Sequence, residues 1–339
     1  MKFIKVYYKV VLFTVIMAGC QHKSVPDISD IHVKPVIQRL DLALMQADTT
    51  HIDSAIQRLN RQFPRFFDFY LSAIAEIGHP ADTNPRIIGG FHQYLSNVYT
   101  RQLFDSIKAK LHDISPFEKE FTQACQYYHY YFPKAPIPTA VIYADGFSYS
   151  AVTPNDSIVG LAAEMYLGEN FNIYTRLPDP LPHYITRMCK PAYMARNAMY
   201  DIATADYPFD EEGRNMLEIM INNGKLLYFL QQVMPHTSDT ILSTFSQKQL
   251  AFCTRNESEF WKFFVKENLL YNANSKDISK YIHPGPECIT PDCQPYNLGT
   301  WIGWQIIQKY MDKNPKVTLP DLMRMNNAQY ILQQSGYRP

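Results

Sequence analysis

The spacing of apolar residues predicts that the chain is helical from residue 36 to residue 133. Apolar positions there recur every three or four residues, which is the period of one face of an α-helix. Ile37 and Leu40 open this pattern. The segments expected to follow are a helix around 52–59, a helix over 66–77 that ends at Gly78, a long amphipathic helix over 91–111 and a helix over 117–131.

The pattern then changes to short runs of apolar and β-branched residues, which are typical of strands. These runs cover residues 139–144, 147–152 and 157–163. Asp145-Gly146 separates the first two runs, and an Asp-Gly dipeptide is a strong hairpin signal. We therefore expect a three-stranded antiparallel meander.

Beyond residue 182 the helical period returns. Asp210 is expected to cap a helix over residues 211–233. Asn256 with Glu259 resembles a capping box at the start of another helix. The last two helices are predicted over 301–310 and 319–332.

Helices around a small antiparallel sheet predict an α+β fold that is mostly helical. No proline- or glycine-rich linker divides residues 36–339, so this stretch is expected to form a single domain. Hydrophobic residues make up 46% of the chain, which is enough for a sizeable core. The net charge is zero, which argues against binding to nucleic acid, because that requires a strongly basic face.

The first 19 residues are predicted to be a lipoprotein signal peptide. A basic start precedes an apolar run that is too short to span a membrane, and the ending before Cys20 resembles a bacterial lipobox. We expect cleavage before Cys20, acylation of the new N-terminus and diacylglycerol on the sulfur, since stable anchoring needs more than one chain. Residues 20–35 are then a flexible tether. Gln21 favours the outer membrane, with the body facing the periplasm.

Five cysteines remain after Cys20, and Cys288 and Cys293 are the best local pair. We interpret them as a possible disulfide or as two free thiols, because an oxidising compartment permits disulfides. A zinc half-site is the alternative, but His283 alone does not complete one. The odd count leaves at least one thiol unpaired within the chain.

Familiar catalytic motifs are missing from the sequence. It has no phosphate-binding glycine loop and no nucleophile elbow. None of the ten histidines is followed by Glu, so the zinc-peptidase pattern His-Glu-x-x-His is also missing. The sequence therefore predicts no metal, no cofactor and no assigned catalytic residue.

Polar residues among apolar ones mark a candidate groove. Glu164 ends the third predicted strand, and Asn222, Asn223 and Lys225 surround Gly224 within the long helix. A glycine inside a helix costs about 1 kcal/mol, which suggests that a ligand or another element comes close. The alternative is tight helix packing, with Lys225 reaching out to water. Gly303, between two indoles, is expected either to leave a gap or to lie in the core; the indoles belong to Trp301 and Trp304.

Several segments in the same order resemble the GldB family of gliding-motility lipoproteins. They are Glu164-Met-Tyr-Leu-Gly168, Leu181-Pro-His-Tyr184, Met220-Ile-Asn-Asn-Gly-Lys225-Leu-Leu-Tyr228, Asn256-Glu257 with Trp261, and Trp301-Ile-Gly-Trp-Gln-Ile-Ile-Gln-Lys-Tyr310. The resemblance implies a membrane-anchored component that faces the periplasm and supports gliding. It also implies a zincin-like fold, similar to that of putative zinc peptidases, in which residues 220–224 replace the metal motif.

Three functions follow as hypotheses. The first is a non-catalytic scaffold or binding protein of the cell envelope, with a protein partner held in a groove. The second is a hydrolase or peptidase-like enzyme that uses Glu164 and Lys225 in an unfamiliar way. The third is a lipoprotein that binds peptide, lipid or glycan against its aromatic residues. The oligomeric state does not follow from the sequence.

Overall fold

The computed structural model describes residues 25–82, 84–147, 151–155, 157–286 and 295–339. The strands are β1 (Ile37–Arg39), β2 (Thr139–Tyr143), β3 (Ala151–Asn155) and β4 (Ile158–Ala162). Helices of the first half are α1 (Leu40–Met45), α2 (Ile52–Gln62), α3 (Phe66–Phe69), α4 (Pro85–Ser96), α5 (Val98–Lys110) and α6 (Ser115–Tyr131). Those of the second half are α7 (His183–Thr186), α8 (Met194–Asp206), α9 (Met216–Val233), α10 (Asp239–Ser243), α11 (Gln247–Lys266), α12 (Ser275–Ile282), α13 (Leu298–Lys313), α14 (Leu319–Arg324) and α15 (Ala328–Ser335). The predicted α+β class, mostly helical, is confirmed.

The four strands form one mixed sheet in the order β1-β2-β4-β3. β1 pairs with β2 in parallel, and β2 pairs with β4 in parallel. β3 and β4 run antiparallel. The predicted antiparallel meander is therefore wrong, because β4 lies between β2 and β3.

The composition of the strands explains this order. All five residues of β4 are buried, and none carries a polar side chain. Such a continuous apolar run is typical of a strand covered on both faces. β3 contains Thr153 and Pro154, and proline has no N–H to donate to a ladder, which confines it to an edge.

Two N-terminal expectations are corrected by local geometry. Ile37 opens strand β1 instead of a helix. The single helix expected over 91–111 is divided at Asn97, whose extended backbone ends α4. The Asn97 side chain accepts hydrogen bonds from the N–H groups of Tyr99 and Thr100, which caps α5.

The helix expected over residues 66–77 is α-helical only at its start, in α3. α3 continues there as a π-helical turn, Tyr70–Ile74. The expected helix over 117–131 is confirmed as α6. At the C-terminal end, the helix expected over 319–332 is instead the pair α14 and α15.

The long central helix α9 begins later than predicted. Asn215, and not Asp210, is its cap. The Asn215 side chain accepts from the N–H of Glu218 at 3.0 Å, and the Glu218 carboxylate accepts from the N–H of Asn215 at 3.0 Å. This reciprocal capping box satisfies two backbone donors at the start of the helix.

The cap of α11 is likewise displaced from its predicted position. Ser246 and Gln249 form the capping box, with bonds of 2.8 and 3.3 Å. Asn256 lies in the helix interior, where its amide donates to the carbonyl of Phe252 at 2.8 Å. The expected helix around Trp301 is present as part of α13.

The signal peptide and Cys20 lie outside the described residues. In the predicted tether, Ile28 and Val33 pack against the hydrophobic core. Gln126 of α6 donates its amide to the carbonyl of Ile31 at 2.9 Å, so this part of the segment is attached to the body. Within the described part of the chain, no helix combines the length and hydropathy needed to cross a membrane.

Candidate functional site: a polar cleft beside the sheet

A cleft of about 580 Å³ lies beside the edge strand β3. Its walls come from β3, α7, α8 and α9, the turn after α10, the end of α12 and the start of α13. One part of the wall is apolar and consists of Met165, Leu181, Ile185, Met188, Leu227 and Ile282. A concave site with an apolar wall and a few polar groups is typical of ligand-binding pockets.

One polar side of the cleft is a chain of hydrogen bonds between α9 and α13. Asn223 donates its amide to the hydroxyl of Thr300 at 3.1 Å. The Thr300 hydroxyl donates in turn to the side-chain oxygen of Asn297, the residue that precedes α13. These three residues are fixed by one another and face the cleft.

A second polar part of the lining is a buried guanidinium group. Arg196 on α8 is 9% exposed and lines the cleft. Its Nε donates to the carbonyl of Leu242 at 3.1 Å, and its Nη1 donates to the side-chain oxygen of Asn197 at 3.2 Å. The guanidinium carbon lies 4.4 Å from the ring centre of Tyr200, a cation–π distance. Burial lowers the pKa of Arg196 from its usual value.

Two carboxylates also line the cleft, those of Asp201 and Glu211. Asp201 accepts a hydrogen bond from the Thr153 hydroxyl at 2.6 Å, and burial raises its pKa. Glu211 lies 3.6 Å from the imidazole of His283. The cleft therefore presents two acidic groups, one hydrogen-bonded to a threonine and one beside a histidine, together with one buried cation.

Glu164 is fully buried and is not among the residues that line the cleft. Its Oε1 accepts three backbone hydrogen bonds, from Asp145 at 2.7 Å, Gly146 at 2.6 Å and Phe147 at 3.2 Å. Burial, and then the charge of Asp145, raise the pKa of Glu164 to about 8. Gly146 has a φ of +89° and Phe147 a φ of +80°, so the carboxyl holds a turn with left-handed backbone. Phe147 itself lines the cleft, and Glu164 therefore positions part of its wall.

Lys225 and Glu164 bind different parts of the structure. Its Nζ donates to the carbonyl of Met323 at 3.2 Å and to that of Met325 at 2.8 Å, at the end of α14. The side chain is 5% exposed, and burial lowers its pKa to about 8. Lys225 is thus a buried cation at a helix C-terminus, a favourable location for positive charge. The hydrolase hypothesis requires Lys225 and Glu164 to be in contact, and the structure shows no contact between them.

The predicted gap beside Gly303 is filled by the backbone of α9. A Cβ added to Gly303 would lie 1.9 Å from the carbonyl oxygen of Met220, and one added to Gly224 would lie 2.4 Å from the carbonyl carbon of Gly303. Trp301 and Trp304 are buried in the core, and the indole of Trp304 donates to Gln231 at 3.3 Å. The glycines therefore serve close helix packing.

Of the six residues predicted to form a groove, Asn223 lines the cleft. The other five, which the structure distributes between the core and other contacts, are not among its lining residues: Glu164, Asn222, Lys225, Trp301 and Trp304. Sequence reasoning missed Arg196, Asn197, Tyr200 and Asp201. Their spacing along α8 places them on one face of a helix that is otherwise rich in Ala and Met, and this was the available signal.

Cys125, Cys189 and Cys253 are free and buried. The predicted pair Cys288 and Cys293 lies outside the described residues, so its disulfide stays a prediction. Among the residues that the structure describes, no three His, Cys, Asp or Glu side chains are close enough together to hold a metal ion.

The sequence matches a known protein family over nearly its whole length. The family model described as gliding motility protein GldB, a lipoprotein family, matches residues 21–339. This match places the chain in a family of lipoproteins associated with gliding motility. It belongs to the GldB family, which confirms the resemblance drawn from its motifs.

The chain matches no curated protein and no solved structure. The zincin-like part of the fold prediction accordingly stays a prediction.

Proposed function

We propose that this GldB-family chain is a lipid-anchored envelope protein that faces the periplasm and acts as a non-catalytic scaffold by binding a ligand or partner segment in its cleft. The observation that carries the proposal is the cleft of about 580 Å³ between α8, α9 and α13. Its volume lies in the usual range for ligand sites, roughly 300–1,000 Å³.

The walls of the cleft support binding because their polar groups are held in place. Asn223 and Thr300 are hydrogen-bonded across two helices, and Arg196 is fixed by a carbonyl and by a neighbouring side chain. A site whose polar groups are fixed before binding loses little conformational entropy when it binds.

The anchor is the second part of the proposal. Lipids on Cys20 would hold the body at the membrane, and Gln21 favours the outer membrane. Replacing Cys20 by Ala should abolish incorporation of labelled fatty acid and remove the chain from the outer-membrane fraction. Cys125→Ala is the control, because a buried cysteine of the body has no part in anchoring. Retention of the Cys20→Ala chain in the outer membrane would contradict the anchor.

The cleft is tested in cells from which the chromosomal copy has been deleted. Asn223→Phe places a ring in the cleft, whereas Asn222→Phe changes the adjacent residue, which does not line it. We expect Asn223→Phe to abolish colony spreading and the photo-crosslinks made by a probe placed at Leu181, with normal protein levels. Asn222→Phe should retain both. If Asn223→Phe spreads and crosslinks like the unaltered chain, the cleft has no role in function.

A further inference from the structure

We infer that the cleft takes a small ligand with an apolar body and a carboxylate group, and that Arg196 binds the carboxylate. The inference rests on the proposed function, because it names the chemistry of what the cleft would hold. It starts from an imbalance of charge: Arg196 is 9% exposed, yet its protein partners are neutral.

A buried charge without an opposite charge is costly, so it calls for a partner. Among the described residues, no carboxylate lies within salt-bridge distance of Arg196. Asp201, on the same helix, is bound to Thr153, and Glu211 lies beside His283. The charge of Arg196 is thus not neutralised by either acid that lines the cleft.

The guanidinium is positioned for a ligand. Nε and Nη1 are used by Leu242 and Asn197, whereas Nη2 has no hydrogen bond to the described residues. Tyr200 covers one face of the group and fixes its plane. Nη2 has two N–H donors in the fixed plane of the guanidinium, and this pre-organised geometry suits a carboxylate better than a freely rotating ammonium group would.

The rest of the cleft indicates the body of the ligand. Leu181, Ile185, Met188 and Leu227 offer an apolar wall, which fits either an acyl chain or apolar side chains of a peptide. Both a fatty acid and the C-terminus of an apolar peptide carry the required carboxylate. The experiment therefore includes one pair of probes for each source.

A purely structural role is the competing explanation for Arg196. At the end of α10, the carbonyl of Leu242 accepts a hydrogen bond from Arg196 and the carbonyl of Thr244 accepts one from Arg187. Both cations therefore stabilise the C-terminus of this helix. This role predicts a loss of stability when Arg196 is changed. It predicts no preference of the cleft for an acid over the corresponding amide, and this difference decides between the two explanations.

The test uses the chain from residue 20 onward with Cys20→Ser, which removes the lipid, and titration calorimetry. The peptide probes are N-acetyl-leucyl-leucine and its carboxamide, and the acyl probes are octanoate and octanamide. We expect one acid to bind at least tenfold more tightly than its amide. Arg196→Gln should bring the affinity for that acid down to the level of the amide, whereas Arg196→Lys should retain part of the difference. Arg214→Gln, at an exposed ion pair with Glu218, is the control and should bind like the parent chain.

The pair that shows the preference identifies the source of the carboxylate. Equal binding of acid and amide, an acid preference that survives Arg196→Gln, or no binding of any probe at 10 mM would overturn the inference. Should Arg196→Gln fail to fold, a reduced acid preference in the folded Arg196→Lys variant supports the inference and full retention of that preference opposes it. The proposed function fails separately, when Asn223→Phe leaves spreading and crosslinking unchanged.

Discussion

Gly224 of α9 and Gly303 of α13 face each other so closely that a Cβ on Gly224 would lie 2.4 Å from the carbonyl carbon of Gly303. The two backbones are therefore in direct contact, which is possible only where neither residue has a side chain. The same pair of helices carries Asn223 and Thr300 on one wall of the cleft. Packing at the glycines thus sets the geometry of the polar network.

Gly303→Ala should be strongly destabilising. Its Cβ would lie 1.9 Å from the Met220 carbonyl oxygen, so the helices must separate, and we expect a loss of about 3 kcal/mol or more in the free energy of unfolding. Gly89→Ala is the matched control, because nothing lies within 4 Å of its Cβ and alanine favours helix by up to about 1 kcal/mol. Urea unfolding measures both. Equal stability of the two variants would refute close packing at Gly303.

Lys225 is predicted to make stability depend on pH above neutrality. Its folded pKa of about 8 lies below the usual 10.5, because burial disfavours the charged form. Between these values the unfolded chain binds more protons than the folded chain, so the free energy of unfolding rises with pH. The slope from this residue approaches about 1.4 kcal/mol per pH unit.

The measurement is urea unfolding at intervals between pH 8 and pH 10, where other groups contribute equally to the variants compared. Lys225→Met should show a smaller rise than the unaltered chain, whatever its absolute stability. Lys262→Met removes an exposed lysine on α11 and should keep the full rise. Identical pH slopes for Lys225→Met and the unaltered chain would contradict the burial of a charged amine at this position.

Glu164 is predicted to make the free energy of unfolding fall as pH rises from 5 to 8. Burial and Asp145 raise its folded pKa to about 8, above the usual 4.5, so the folded chain binds the proton more tightly. The stability it contributes is fully present below pH 4.5 and is lost as pH rises through about 8. Glu164→Gln keeps the acceptor for the three backbone N–H groups and should abolish this decline in urea unfolding between pH 5 and pH 8.

Glu164→Leu separates the charge from the hydrogen bonds. It also removes the decline, but it leaves the N–H groups of residues 145–147 without their acceptor, which should cost about 3 kcal/mol at pH 5 relative to Glu164→Gln. Glu259→Gln, at an exposed carboxyl on α11, should keep the pH dependence of the unaltered chain. The account of the turn is wrong when Glu164→Leu is as stable as Glu164→Gln.

The helical part of the fold could be predicted because its signal is local. The apolar period of α6 is contained within the helix itself, and its bounds were close to those observed. The sheet was harder, because strand order depends on contacts between distant segments. The Asp145-Gly146 turn suggested a hairpin, whereas its N–H groups bind the Glu164 carboxyl and β4 takes the central position.

The candidate site was only partly predictable for a related reason. Gly224 correctly indicated a close approach, but the sequence does not say whether a ligand or a helix comes close, and here it is α13. Asn223, one residue earlier, faces the cleft. Arg196 escaped notice because an arginine on a helix is usually exposed, and its burial depends on α10 and on Tyr200.

The three free cysteines within the described residues should differ in reactivity because one of them, Cys189, lines the cleft. Burial raises the pKa of the Cys189 thiol to about 11, so at pH 8 it should react with N-ethylmaleimide about two orders of magnitude more slowly than an exposed cysteine. Cys125 and Cys253 are fully buried away from the cleft, and their pKa values are raised to about 12. They should react only when the chain unfolds. Peptide mapping by mass spectrometry gives the order in which the cysteines are modified. Cys189→Ser should abolish the slow modification of the native protein and leave Cys125 and Cys253 protected. Modification of Cys125 or Cys253 before Cys189 in the native protein would contradict this arrangement of the core and the cleft.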